Sequence, residues 1–307
     1  MSLSVSVSNV NKTFQTGRTS VDGLKSITFD VQKGELFGLI GPDGAGKTTL
    51  FRILTTLMLA NSGSASVDGF DVVRDYKEIR KRVGYMPGRF SLYPDLTVAE
   101  NLSFFATLFN TTLKENYDLV KSIYRQIEPF ANRKAGALSG GMKQKLALSC
   151  ALIHRPSVLF LDEPTTGVDA VSRKEFWDLL RELQASGISI VVSTPYMDEA
   201  GLCDRVALMQ EGKIMEINSP AAITKNFGKP LYAVRASDMF SLMQQLRGAV
   251  EVQTCYPFGQ YHHVVFHNDQ LTLEEVRRVL GTVSTDQLEV QRIEATIEDC
   301  FMDLMHR

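Results

Sequence analysis

The 307-residue chain is short of cysteine, histidine and long apolar runs, and each shortage removes a class of answers. Its four cysteines (Cys150, Cys203, Cys255 and Cys300) are scattered and form no C-x-x-C pair. That pattern excludes a disulfide framework or a local zinc site and suits a reducing compartment. No stretch approaches the roughly 18 apolar residues that a spanning helix needs. Residues 1–10 also lack the basic start and apolar core of a secretory signal, so the chain is expected not to cross a membrane by itself. A net charge of only −2 supplies no general attraction for nucleic acid, and no nucleic-acid partner is expected. What remains is an ordinary folding composition, 44% hydrophobic and 22% charged, long enough for a large domain with a smaller appendage.

Hydrophobic patterning predicts strands at Ser26–Val31 and Glu35–Ile40, the second running into a glycine-rich loop, then a helix over Lys47–Leu59. A strand follows at Val83–Met86. Thr97 with Glu100 forms a capping box for a helix through Phe109, and Lys114–Asn132 also reads as helical. Ser139 is an N-cap for a helix through Ile153. Ser157–Leu161 is a continuous apolar run of the kind buried on both faces of a parallel sheet. A helix at Val171–Ala185 and a strand at Ile188–Ser193 complete a β-α-β unit, so the core is α/β. A hairpin is expected at Arg205–Gln210 and Lys213–Ile217, turning through Glu211 and Gly212. Beyond a break near Asn226–Pro230, the order β-α-β-β-α-β plus a last helix from Ile297 to His306 suggests a small ferredoxin-like α+β domain.

Gly41-Pro42-Asp43-Gly44-Ala45-Gly46-Lys47-Thr48 fits G-x-x-x-x-G-K-[ST] and lies between an apolar strand and a helix, as that motif requires. Its glycines let backbone N–H groups turn toward phosphate oxygens, and the helix N-terminus adds partial positive charge. Lys47 is expected at the β and γ phosphates and Thr48 on Mg2+, with Thr49 alongside. In Phe160-Leu161-Asp162-Glu163-Pro164, the acid ending a buried strand suits a metal and the next suits an attacking water. Asp162 is assigned the metal and Glu163 the water. Ser139, Gly140 and Gly141 form a second anion site at a helix start.

Leu138-Ser139-Gly140-Gly141 upstream of the Phe160–Pro164 strand resembles the signature of the ABC ATPases, and the likeness extends over residues 1 to about 225. It implies a P-loop NTPase core of residues 1–225 with a helical subdomain near 88–155, and an accessory domain at 229–307 like that of drug, antibiotic and lipid exporters. It further implies an ATP- and Mg2+-dependent ATPase at the inner face of the cell membrane. Its partners would be an integral membrane permease and a second cassette, in a homodimer or heterodimer. In the family the Ser139-type loop closes on ATP held by the other subunit. Phe14 stands where the family stacks an aromatic on adenine, or is a core residue. Gly167-Val168-Asp169 resembles the D-loop. Gly84–Leu102 resembles the segment joining the ATP site to the helical subdomain; Phe90, Leu92 and Tyr93 there either receive a membrane subunit's coupling helix or form subdomain core.

Two positions depart from the family. Gly88 replaces a glutamine, and Pro195 replaces the switch histidine; a proline cannot donate a hydrogen bond. None of the five histidines lies in that turn, so the role is vacant or falls to Thr194 or Tyr196. Two readings follow: a working transport ATPase, or a slow, nucleotide-gated subunit that completes the site of a different ATPase chain. His262, His263 and His267 lack convincing ligand spacing and are expected on a solvated strand.

Overall fold

Continuous apolar strands need cover on both faces, whereas alternating ones need cover on one, and the chain contains both kinds. The structure is a computed structural model describing residues 2–17, 19–89, 91–281 and 288–306. It divides into two compact units, Met1–Pro220 and Ala221–Arg307, so the break falls ahead of the one expected at Asn226–Pro230.

The first unit runs β1 (Leu3–Thr16), β2 (Thr19–Gln32), β3 (Leu36–Ile40), α1 (Lys47–Leu54), β4 (Ser62–Val67), β5 (Phe70–Asp71), α2 (Tyr76–Arg82) and β6 (Val83–Met86). It continues with α3 (Val98–Leu108), α4 (Tyr117–Tyr124), α5 (Gly140–Leu152), β7 (Val158–Asp162), α6 (Ala170–Ala185), β8 (Ser189–Thr194), β9 (Arg205–Gln210) and β10 (Lys213–Asn218). One sheet, in the order β10-β9-β3-β8-β7-β6, is parallel from β9 to β6, with β10 antiparallel at its edge. β3, β7 and β8 are buried along their whole length. The other sheet, β2-β1-β4-β5, is antiparallel. Leu50, Phe51 and Leu54 of α1 share a core with Val5, Val7 and Val31 of that sheet and with Phe160 and Val191 of the parallel one.

The helix expected over Lys47–Leu59 ends at Leu54. Thr55 turns its hydroxyl onto the Phe51 carbonyl (2.7 Å) and Thr56 adopts φ 64, so the helix cannot propagate. The span expected to be helical at Lys114–Asn132 holds only α4 and a single 3-10 turn, where Pro129 cannot supply an interior N–H. α3 begins with the expected capping box. Thr97 N–H donates to Glu100 at 2.7 Å, and Glu100 N–H donates back to the Thr97 hydroxyl at 3.2 Å. The fully buried Asn101 then ties the preceding turn down, donating to the carbonyls of Tyr93, Leu96 and Thr97.

The second unit comprises α7 (Pro220–Lys225, beginning at the break), β11 (Leu231–Arg235), α8 (Met239–Gly248), β12 (Val252–Phe258), β13 (Tyr261–Phe266), α9 (Leu273–Gly281), β14 (Glu289–Ile293) and α10 (Ile297–Leu304). Its four strands form an antiparallel sheet in the order β12-β13-β11-β14, the arrangement of a split β-α-β fold. His262 and His263 are buried here, not solvated. His262 Nε2 lies 2.7 Å from the Met239 carbonyl, and His263 Nδ1 lies 2.7 Å from Asp299 Oδ1. Alternation sends the two rings to opposite faces, and each face is covered by a helix. Burial raises the Asp299 carboxyl, but bonds from His263 and Thr296 outweigh it and hold the group below the ordinary carboxylate value.

Candidate nucleotide site

The loop between β3 and α1 is shaped by its glycines. Gly44 has φ +81 with open space where a side chain would stand. Gly46 caps α1 at φ +105, and a Cβ there would lie 2.6 Å from the Gly23 carbonyl. Asp43 and Gly44 are exposed at the tip, with Pro42 half-buried and Gly41 and Ala45 buried behind them. Lys47 is 3% exposed and its ammonium is fully engaged. Nζ donates to the carbonyls of Gly41 (2.7 Å) and Pro42 (3.1 Å) and pairs with Glu163 Oε1 at 3.1 Å. Thr48 and Thr49 follow in the first turn of α1, both half-buried.

Thr48, Asp162 and Glu163 line one cavity of ≈ 470 Å³ with Arg52, Tyr85, Pro87, Gly88 and Arg89. Asp162 ends β7 and is buried, its Oδ1 accepting from the Ser193 hydroxyl at 2.7 Å. Glu163 has φ 50, a left-handed conformation that costs a non-glycine residue about 1–2 kcal/mol. Its N–H is shared between the Ser193 carbonyl (3.1 Å) and hydroxyl (3.0 Å), which holds the kink and turns the carboxylate toward Lys47. Ser193 is thus a site residue that motif reading missed; a polar residue closing the apolar run Ile190–Val192 was the available signal. Burial, and then the nearby Asp162 charge, push the Tyr85 phenol up to about 12, so it remains a hydrogen-bond donor at neutral pH.

The residues fit a Mg2+–triphosphate. Among the described residues no cluster of three or more His, Cys, Asp or Glu could hold a metal. One hydroxyl and one carboxylate suit Mg2+, which retains waters and takes phosphate oxygens as its other ligands.

Gly140 and Gly141 approach the turn Gly167–Asp169 and the helix start that follows it. Ser139 is exposed and caps α5, accepting from Met142 N at 3.4 Å. A Cβ at Gly140 would lie 3.3 Å from the Gly167 carbonyl, and one at Gly141 2.8 Å from the Ser172 hydroxyl. Asp169 caps α6 through Val171 N and Ser172 N, and these bonds hold its carboxyl below the ordinary value.

The remaining expected positions divide. The Phe14 ring lies against Gly23, where a Cβ would come within 2.6 Å of it, and the Gly23 carbonyl borders Gly46. Gly23 thus stands between the Phe14 ring and the loop. A Cβ at Gly88 would stand 3.0 Å from the Asp162 carbonyl, so the backbone occupies this wall of the cavity closely. Leu92 is core, Tyr93 is 47% exposed and packs edge-on against Phe104 at 4.9 Å, and Phe90 lies outside the described residues. At Pro195, the flanking Thr194 hydroxyl accepts from Tyr196 N (3.1 Å) and donates to Glu199.

A family model described as ABC transporter matches residues 24–166. The chain is 40% identical over 242 residues to the Nod factor export ATP-binding protein I of Burkholderia lata, with 78% of each chain covered. It belongs to the ATP-binding proteins of ABC transporters, and its first unit has the ABC ATPase cassette fold. It is 37% identical over 279 residues to the probable multidrug ABC transporter ATP-binding protein YbhF of Escherichia coli strain K12, covering 90% of this chain and spanning about half (48%) of YbhF. Similar solved structures include the cassette MJ0796, in a dimeric post-hydrolysis state bound to ADP and Pi, at TM-score 0.64 and 26% identity over 70% of this chain and 98% of that one. Another is cbiO1 from Clostridium perfringens, part of the complex cbiONQ, at TM-score 0.65 and 26% identity over 74% of this chain and 92% of that one. Among the described residues no helix is long and apolar enough to cross a membrane.

Proposed function

We propose that the chain binds ATP with Mg2+ at Gly41–Thr48, hydrolyses it with Glu163, and drives export through an integral membrane permease at the inner face of the cell membrane. The observation that carries this reading is the Lys47–Glu163 pair at 3.1 Å, beside Thr48 and Asp162 in one cavity. Lys47 and the loop N–H groups hold the β and γ phosphates and Phe14 stacks on adenine; Thr48 and Asp162 would hold Mg2+, which would supply positive charge to the phosphates. Glu163 orients and deprotonates water. Ser139–Gly141, with Ser139 and Gly140 exposed, closes on nucleotide held by a second cassette. Closure and reopening of that dimer give the power stroke. Export is supported by the names of two relatives, a Nod factor export protein and a probable multidrug transporter. Residues 229–307 act as an accessory domain in dimer contact or regulation; their removal with no change in dimerisation or turnover would refute that role.

The slow-subunit reading rests only on Gly88 and Pro195, and the intact Glu163 geometry argues against it. Turnover of the wild-type chain with its permease, compared with a Glu163→Gln control, tests the proposal. A difference of about a hundredfold is expected. Equal rates refute hydrolysis at this site.

A further inference from the structure

A charge cluster built around a buried carboxylate lies beside the nucleotide site and takes no part in the chemistry assigned above. Glu199 sits in the 3-10 turn Met197–Leu202 that follows Pro195, and is 2% exposed. Such a carboxylate is costly to bury unless its lone pairs are filled, and here they are. Oε2 accepts from the hydroxyls of Thr165 (3.1 Å) and Thr194 (2.5 Å), and Oε1 accepts from Arg173 Nε at 3.1 Å. Arg173 also reaches Asp198 at 3.1 Å, and its guanidinium lies 4.3 Å over the Tyr196 ring. Fork geometry and stacking together make this arginine hard to replace by lysine.

Each donor comes from a different working segment. Thr194 ends β8, and its carbonyl accepts from Gly41 N, the first amide of the phosphate loop, at 3.3 Å. Thr165 stands two residues after Glu163 and opens the turn leading to Asp169; its carbonyl accepts from Val168 N at 3.3 Å. Arg173 lies in the first turn of α6 next to Ser172, the residue packed against Gly141. A displacement of the phosphate loop therefore reaches Glu199 through one residue and the Ser139 loop through two more.

We propose that Glu199 and Arg173 are positioning residues that couple the phosphate loop to the D-loop and the Ser139 loop, replacing by a fixed buried network the link absent at Pro195. This rests on reading Gly41–Thr48 as an ATP site. Pro195 suits the arrangement. With its φ fixed and no N–H of its own, it holds the turn in which the Thr194 hydroxyl both accepts from Tyr196 N and donates to Glu199.

Hydrogen exchange on the full chain, kept dilute enough to stay monomeric by sedimentation so that a second cassette cannot protect 139–142, with and without Mg2+–ATP, tests the idea without requiring turnover or a partner. In the wild type, ATP should slow exchange at 41–48 and also at 139–142 and 166–173. Glu199→Gln should retain ATP affinity by calorimetry and protection at 41–48, while the response at the two distant segments shrinks about tenfold. Thr165→Val, which keeps side-chain shape but removes one donor, should give a smaller loss in the same direction and guards against misfolding of the first variant. A merely structural role would lower the melting midpoint yet leave the distant response intact. Full distant protection in either ATP-binding variant, or wild-type protection confined to 41–48, overturns the coupling alone. No protection at 41–48 in the wild type overturns the ATP reading and the coupling with it.

Discussion

The loop after β3 and the turn after β8 leave adjacent parallel strands at the same edge of the sheet, yet they are held by different means. The first relies on backbone freedom: glycines at φ +81 and +105, a tip open to solvent, and one buried lysine threaded underneath. The second relies on side chains: Ser193 fixes Asp162 and Glu163, Thr194 fixes Glu199, and Pro195 removes a degree of freedom. A surface that grips phosphate must present amides, so it gives up side chains. A surface that orients reacting groups must not drift, so it buries polar side chains in mutual bonds.

The comparison is broken most forcefully at Lys47. Lys47→Met leaves Glu163 without its cation, and ATP affinity measured by calorimetry should fall about a hundredfold, near 3 kcal/mol. Next, Gly46→Ala forces a Cβ to 2.6 Å from a carbonyl at φ +105, whereas Gly44→Ala meets open space at φ +81. In denaturant melts Gly46→Ala should cost about 2–3 kcal/mol and Gly44→Ala about 1 kcal/mol. Equal losses would mean that the first loop is not packed against Gly23. On the other side of the comparison, Ser193→Ala takes a donor from the Asp162 carboxylate and one of two acceptors from the Glu163 amide. It should slow turnover about tenfold and cost about 1–2 kcal/mol, with ATP affinity retained; a loss of affinity instead would blur the division between the two turns.

The smallest effect is in pH. Burial holds the His154 ring below its ordinary pKa of 6.5, only partly opposed by its bond to the Val83 carbonyl. The unfolded chain therefore takes up a proton that the folded one resists, so stability is present above pH 6.5 and declines as pH falls through and below that value, by at most about 1.4 kcal/mol per unit. His154→Phe, which preserves stacking on Phe109, should flatten that slope in melts between about pH 7 and 5.5.

What could be read in the residues followed how local the cause was. The loop from Gly41 to Thr48, the Thr97–Glu100 box and the apolar strands β3, β7 and β8 depend on neighbours within a few positions, and their chemistry is written there. β4, Ser-Gly-Ser-Ala-Ser-Val, has no strand-like composition and is held by pairing with β1 along Val5–Ser8 and with β5 at its end. The long α1 expected from apolar content stops where Thr55 bonds back to Phe51 and Thr56 turns left-handed. His263 looked solvated because its partner, Asp299, stands 36 residues away. Glu199 and Arg173 were invisible for the same reason: nothing in a polar turn after a strand says that a guanidinium from the preceding helix will cover it.

The Lys47–Glu163 ion pair gives the site an order of operations. An ammonium held by two loop carbonyls and a carboxylate can serve a phosphate only by giving up one of them. The carboxylate is the partner that like charge expels. In the proposed cycle, arrival of the phosphate releases the base assigned to act on it, and the same contact keeps that carboxylate engaged beforehand, a safety catch made from a single ion pair.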